Sequence, residues 1–350
     1  MLLFMASFTA MADEFNEIPR RWKWVSKTEV AFSYDGSFKD ANGFVYNAKK
    51  AKTVPGVNFP DKFADFPVKP EGAVNLTYSP DSTMLAFTRD NDLYYVEIAS
   101  GKETRLTFDG TDLILNGYAS WVYYEEIFGR PSRYRAFWWS PDSKKLAYYR
   151  FDNTEVTLFP IFSPFGQDGS LNNTRYPKAG EKNPEVRIAI VDLAKAASDV
   201  ASATVWADFD EKEDQYFGTP FWGPDSQEFF VSREPRTQNT LDLYSVSVKD
   251  GSKKAIYHET YPTWLDWIDG VIFTPRGLYM ARAFETGWQQ IYFLSYDGKT
   301  FERLTDGCNW GISILGVDEL HNEVYFTARR SSSSRYALYK TGPFRQVLTL

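Results

Sequence analysis

Cysteine and histidine are almost missing from this chain of 350 residues, which has one cysteine, Cys308, and two histidines, His258 and His321. A single cysteine excludes a disulfide framework, so an extracellular fold of this sequence would stand on packing alone. Two histidines argue against a zinc site built on imidazole, although carboxylate sites stay open. Cys308 has no histidine near it in sequence and reads as a buried small residue or an inert thiol, and both histidines read as structural. Basic runs are lacking too. The formal charge is -7, and the densest basic cluster, Lys49–Lys52, fits a solvated loop, so nucleic acid is not an expected partner. No stretch beyond the start of the chain reaches the roughly 18 apolar residues of a membrane helix. The sequence contains no G-x-S-x-G elbow of a serine hydrolase; Gly311-Ile312-Ser313 is followed by Ile314-Leu315 and fails the pattern. Glycine loops for phosphate and calcium-loop spacings are absent, and Asp90-Asn91-Asp92 reads as a hairpin turn. No cofactor and no metal are expected.

What the sequence has in quantity is aromatic residues, 17% of the total, with 28 Phe, 22 Tyr and 11 Trp. Flat rings suit closely packed sheets. The stretch Trp138–Tyr149 (WWSPDSKKLAYY) sets an aromatic pair before a Ser-Pro-Asp-Ser turn and a short apolar strand. Pro141 fixes φ at a turn position, and Asp142 can bond to backbone just beyond it. The same phrase recurs at Tyr78–Phe87 (YSPDSTMLAF) and, weakened, at Trp222–Val231 (WGPDSQEFFV). A repeated strand–turn–strand unit predicts a repeat architecture. The clearest unit runs through Val74–Tyr78, Met84–Arg89, Leu93–Ile98 and Thr104–Thr107, four strands with connections of two to five residues. That is an antiparallel meander, the blade of a β-propeller. Its strands are apolar on both faces, as expected of a sheet with a neighbour on each side.

The fold class predicted is therefore all-β, a propeller of four-stranded blades over residues 13–350. Residues 1–12 (MLLFMASFTAMA) resemble the end of a secretory signal peptide, with a small-x-small pattern at Ala10-Met11-Ala12, although the basic start is missing. Export is expected, to the periplasm or beyond it, including the cell surface. About six units can be counted. The first, Trp22–Lys52, is read as reduced, and Val54–Glu71 as an irregular proline-rich connection. The third is interrupted by a long loop at Phe159–Pro184. The fifth includes Trp264–Ile268 as a strand, and the sixth is read as cut off at the strand-like Gln346–Leu350, so the chain is expected to be part of something longer.

One stretch breaks the repeat: residues 116–135, NGYASWVYYEEIFGRPSRYR. Trp121–Phe128 lacks turn residues and predicts two helical turns, stopped by Gly129 and Pro131. It carries Glu125 and Glu126 side by side. Neighbours on an ideal α-helix point about 100° apart, so convergence on one ligand requires a distorted or short helix, or a ligand at its edge. Two anions held close with no matching cation would attract an ammonium ion, such as the free amino terminus of a peptide. The competing reading has both glutamates facing solvent and paired with Arg130, Arg133 or Arg135. A glycosidase pair fits poorly, because its members face each other across a sugar.

The run Leu115–Phe128 (LNGYASWVYYEEIF), then Ala136–Tyr149, Asn153-Thr154-Glu155-Val156 and Tyr176–Pro184 (YPKAGEKNP), resembles the propeller of the dipeptidyl peptidase IV family of prolyl-specific serine peptidases. Asp214–Trp222, Thr263–Trp267 and Leu304–Trp310 look like bacterial members of that family. The resemblance implies an eight-bladed propeller that caps a C-terminal α/β-hydrolase domain with a Ser-Asp-His triad. Such enzymes remove dipeptides or tripeptides from free N-termini. It also implies that Glu125 and Glu126 hold the substrate ammonium, thereby counting residues to the scissile bond. Three departures accompany it: no hydrolase domain, no counterpart of an upstream substrate-positioning arginine, and fewer than eight blades. The expected partners are peptide N-termini, the missing hydrolase domain and a second copy in a homodimer. No catalysis is expected of this chain alone. The alternative is a non-catalytic peptide-binding or scaffolding propeller.

Overall fold

The computed structural model describes residues 21–26, 29–33, 43–47, 49–57, 68–165, 167, 169–342 and 345–349. The leader-like residues 1–12 lie outside them. The chain divides into two compact units, Met1–Lys69 and Pro70–Leu350.

The first unit holds a four-stranded antiparallel sheet of Arg21–Ser26, Glu29–Ser33, Gly43–Asn47 and Lys52–Val57, in chain order. This corrects the expectation of a reduced first blade. Its fourth strand spans Pro55, in what was expected to be an irregular connection. Proline gives no N–H to the ladder, which suits it to a strand bonded on one side only.

The second unit contains five sheets of the blade type. Val74–Tyr78, Met84–Arg89, Asp92–Glu97 and Glu103–Arg105 form the second blade. The third is built on Lys145–Asp152 and Glu185–Asp192, with Phe137–Trp139 and Thr204–Trp206 outside them and Ile114–Asn116 also paired to Lys145–Asp152. The fourth is centred on Glu228–Pro235 and Thr240–Ser247, the fifth on Gly277–Arg282 and Gln290–Ser295. In the sixth, Trp310–Asp318, Glu323–Arg329, Ala337–Thr341 and Val347–Thr349 pair in order. The sixth blade thus has four strands instead of being cut short. All-β architecture with six blades among the described residues, fewer than eight, is the observed fold.

Within the second unit, consecutive blades bury their faces against each other. Ala86 and Leu93 of the second pack with Leu146 and Tyr148 of the third, and Tyr149 and Ile188 of the third with Phe217 and Phe229 of the fourth. The series continues with Leu243 against Met280 and Ile291 against Phe326. Strands apolar on both faces follow from this arrangement.

The repeated phrase has a second use. Each Ser-Pro-Asp-Ser turn folds on its own aspartate: Asp81 Oδ1 accepts from Ser79 Oγ at 2.7 Å and from the Thr83 N–H at 3.0 Å, and Asp142 does the same with Ser140 and Lys144. Ser82, Ser143 and Ser226 take φ near +60°. From that position Ser143 Oγ accepts the Asp81 N–H at 3.0 Å, and Ser226 Oγ accepts the Asp142 N–H at 3.1 Å. In two of the three phrases the tryptophan just before the turn adds a parallel stitch. Trp139 donates its indole N–H to Thr77 O, and Trp222 donates to Trp138 O. One local motif therefore makes a turn and ties it to the preceding blade.

Two expectations fail in detail. Phe159–Pro184 is not structureless, since Leu158–Ser163 and Ser170–Arg175 pair as a hairpin standing as its own two-stranded sheet. Proline and asparagine within those strands masked the pattern. Trp264–Ile268 is not a strand. It belongs to the connection between the fourth and fifth blades, where Leu265 and Ile268 alone are buried.

Candidate functional site

Residues 117–135 leave the third blade as a clamp closed at its base. Ala119 donates to Tyr134 O at 2.7 Å, and Ala136 to Gly117 O at 2.9 Å. Tyr134 stacks between Tyr118 and Tyr124, at centroid distances of 4.9 and 3.7 Å. Burial pushes the Tyr134 phenol up to about 12. Inside the clamp the helix runs from Trp121, and Tyr123–Ile127 takes the wide i→i+5 form, with the Phe128 N–H on Tyr123 O at 2.7 Å. Such π turns are rare and recur at functional sites. Here the pin is Tyr123, fully buried among Phe128, Tyr149, Phe151 and Tyr216. Its hydroxyl accepts the backbone N–H of Phe217 in the fourth blade at 3.1 Å.

Glu125 and Glu126 lie on this turn, so the helix is short and distorted. They do not share one environment. Glu125 is gripped by Arg130, with Nε 2.9 and 2.7 Å from its two oxygens and Nη2 2.6 Å from Oε1. That part of the competing reading is realised. Arg130 is largely exposed, so the pair is weakly held and open to exchange. Glu126 is exposed, has no hydrogen-bond or ion-pair partner among the described residues, and lines an open cavity of about 910 Å³.

The other walls of that cavity come from the fourth and fifth blades, the connection between them, and Ile312 of the sixth blade. Glu259 and Arg282 form a buried bidentate pair, at 2.7 and 3.0 Å, and Arg282 also donates to Trp267 O. Tyr257 donates to the same carboxylate at 2.5 Å. This cation is therefore spent. Asp266 and Asp269 line the cavity with Trp264 and Trp267 and have no hydrogen-bond or ion-pair partner among the described residues. Partial desolvation in the cavity wall raises the Asp269 carboxyl, with Arg282 opposing and Asp266 adding to it, although the side chain still reaches solvent. Glu234 lies below: it is wholly buried, and Gln238 Nε2 donates to Oε2 at 3.2 Å, while Oε1 has no partner. Burial pushes Glu234 up to about 7. Sequence reasoning found Glu126 but missed these acids, because they sit up to 143 positions apart in the cavity wall. The only local signal was Trp264-Leu265-Asp266-Trp267-Ile268-Asp269, whose first five residues read as a strand in the sequence.

The remaining candidates lie elsewhere. Cys308 is exposed, not buried. His258 pairs with Asp242 at 2.6 Å and His321 with Asp318 at 2.7 Å, both on the surface. Among the described residues no three of His, Cys, Asp and Glu are grouped to hold a metal, and no helix is long and apolar enough to cross a membrane.

Stacked antiparallel blades of four or five strands, with a helical clamp opening on a cavity, define a β-propeller domain. Residues 27–342 match the sequence pattern of the dipeptidyl peptidase IV (DPP IV) N-terminal region, and the chain belongs to that family. It is similar to dipeptidyl peptidase 4 of Arthroderma otae, 30% identical over 291 residues, which covers 78% of this chain and 36% of the relative. Dipeptidyl peptidase 4 of Trichophyton rubrum is 29% identical over 327 residues, covering 88% of this chain and 39% of the relative. In fold it is similar to dipeptidyl peptidase 4 from Porphyromonas gingivalis, with a TM-score of 0.68 at 22% identity over 95% of this chain and 43% of that one. The chain thus spans under half the length of these proteins.

Proposed function

We propose that this chain is the substrate-recognition propeller of an exported dipeptidyl or tripeptidyl peptidase, and that Glu125 and Glu126 bind the free amine of a peptide's first residue. The observation that carries this reading is Glu126, an unpaired carboxylate on the wall of a peptide-sized cavity with further acids on its other walls. A substrate ammonium offers three donors. Glu126 takes one directly, and Glu125 can exchange its exposed Arg130 for another. Fixing the amine sets which peptide bond reaches a nucleophile, and that nucleophile belongs to an α/β-hydrolase domain outside this chain. No catalysis by the chain alone is part of the reading.

The test is calorimetric titration of the chain with Ala-Pro and with N-acetyl-Ala-Pro. The free dipeptide should bind and the acetylated one should lose about tenfold or more in affinity, the worth of one charge-assisted hydrogen bond. Glu126→Gln should abolish the difference. Equal affinities in the wild-type chain would overturn the reading.

The hairpin supports the expected homodimer. Leu158, Phe162, Phe165 and Leu171 are each at least half exposed along it, an apolar edge that a second copy would cover. Phe162→Asp should lower the mass seen in sedimentation from dimer to monomer. A wild-type chain that sediments as a monomer would remove this part.

A further inference from the structure

The cavity has more negative charge than a single ammonium needs. Four carboxylates line it, those of Glu126, Glu259, Asp266 and Asp269, with Arg282 as its one lining cation. Arg282 is committed to Glu259 by two hydrogen bonds. Glu126, Asp266 and Asp269 remain unneutralised.

A second observation points the same way. Glu234 is 0% exposed with Oε1 unpartnered. Its donor Gln238 and its cross-strand neighbour Tyr216 both line the cavity. Cross-strand neighbours share a sheet face, so Glu234 lies directly behind the lining residues Tyr216 and Gln238, one layer beneath the cavity wall. A buried oxygen without a donor is costly, and a donor entering from the cavity would relieve it.

The wall between these acids is aromatic and fixed in place. Leu265 and Ile268 anchor the connection in the core. The Leu265 N–H donates to Gln238 O at 2.9 Å, and the Tyr261 N–H to Asn239 O at 3.0 Å. Trp264 and Trp267 are thereby presented to the cavity together with Asp266 and Asp269. Indole faces beside carboxylates suit an organic cation. A metal ion is a poorer occupant, since no metal-holding group occurs among the described residues.

We propose that Trp264, Asp266, Trp267 and Asp269, with Glu234 beneath, form a subsite for a cationic side chain, so that the preferred ligand is a peptide whose first residue is arginine or lysine. This rests on the amine reading above, because the side chain is placed by the amine bound at Glu126. A volume of about 910 Å³ is within the range of sites that take a ligand of this size.

The experiment titrates the 350-residue chain with Arg-Pro, norleucine-Pro and the N-acetylated form of each, following heat. Norleucine matches the length of the stem without its charge. Arg-Pro should bind about tenfold tighter than norleucine-Pro, from one cation–π contact and one or two ion pairs. Asp266→Asn with Asp269→Asn should narrow that ratio to below about twofold. Both positions are exposed, and circular dichroism checks the fold; Asp269→Asn alone should give an intermediate ratio. Equal binding of Arg-Pro and norleucine-Pro, with acetylation still weakening both, would overturn the subsite and leave the amine reading standing. A tenfold preference retained by the double variant would overturn the assignment to these aspartates. Acetylation without effect on either peptide would overturn the amine reading, and with it the placement of the side chain. No heat from any of the four with folded chain would overturn both.

Discussion

Glu234 makes the stability of the second unit fall as pH rises. Its carboxyl is wholly buried, one oxygen is unpartnered and the other accepts a single 3.2 Å bond. The nearby cation, Arg282, is already bonded to Glu259, and Glu259 and Asp266 add repulsion. Burial is the main cause that raises its folded pKa from 4.5 to about 7. The folded protein therefore keeps a proton that the unfolded chain gives up above about 4.5. Stability owed to this proton is full below pH 4.5 and is lost as pH climbs through 7. Each pH unit inside that window costs about 1.4 kcal/mol, for a total of roughly 3 kcal/mol. Glu234→Gln preserves shape and removes the titration. Urea unfolding of both proteins from pH 5 to 8.5, read as the difference between them, cancels all shared titrations. The variant should gain on the wild type by roughly 2–3 kcal/mol between pH 5 and 8. A flat difference, or a wild type that gains on the variant as pH rises, would refute the reasoning.

Other outcomes follow from single contacts. Tyr123→Phe strands the buried Phe217 N–H and should cost about 1–3 kcal/mol in urea unfolding; a smaller loss than 0.5 kcal/mol would show that the hydroxyl is not the pin of the clamp. Arg282→Met leaves Glu259 buried and unpaired and should cost about 3–5 kcal/mol; restoring stability by adding Glu259→Gln would confirm that charge, not volume, is responsible. Ser226→Ala removes the acceptor of the Asp142 N–H and should cost about 1 kcal/mol, with Asp142 amide exchange accelerating. Unchanged exchange there would remove the stitch between blades.

The blades were legible because their turns are encoded locally. Ser-Pro-Asp-Ser specifies the turn within four residues, and the flanking aromatics announce strands. The first blade was under-read because proline at position 55 looked like a break, and the hairpin at 158–175 because Pro160, Asn172 and Asn173 suppress strand signals. The glutamate pair was visible, and so was the need for an irregular helix. Its form was not: i→i+5 and i→i+4 turns draw on the same residues, and burial of Tyr123 against blade four selects between them. The cavity could not be read at all. Its acids at 126, 259, 266 and 269, with Glu234 behind them, meet through blade order, and no local spacing records that convergence.

The stitches also set an order of completion. Asp81 waits for Ser143, 62 positions later, and Asp142 waits for Ser226, 84 positions later. During synthesis each of these modules leaves the ribosome with an amide still unanswered, and the next module to emerge supplies the reply. A lesion at the serine of one module is therefore felt by the turn of the module made before it.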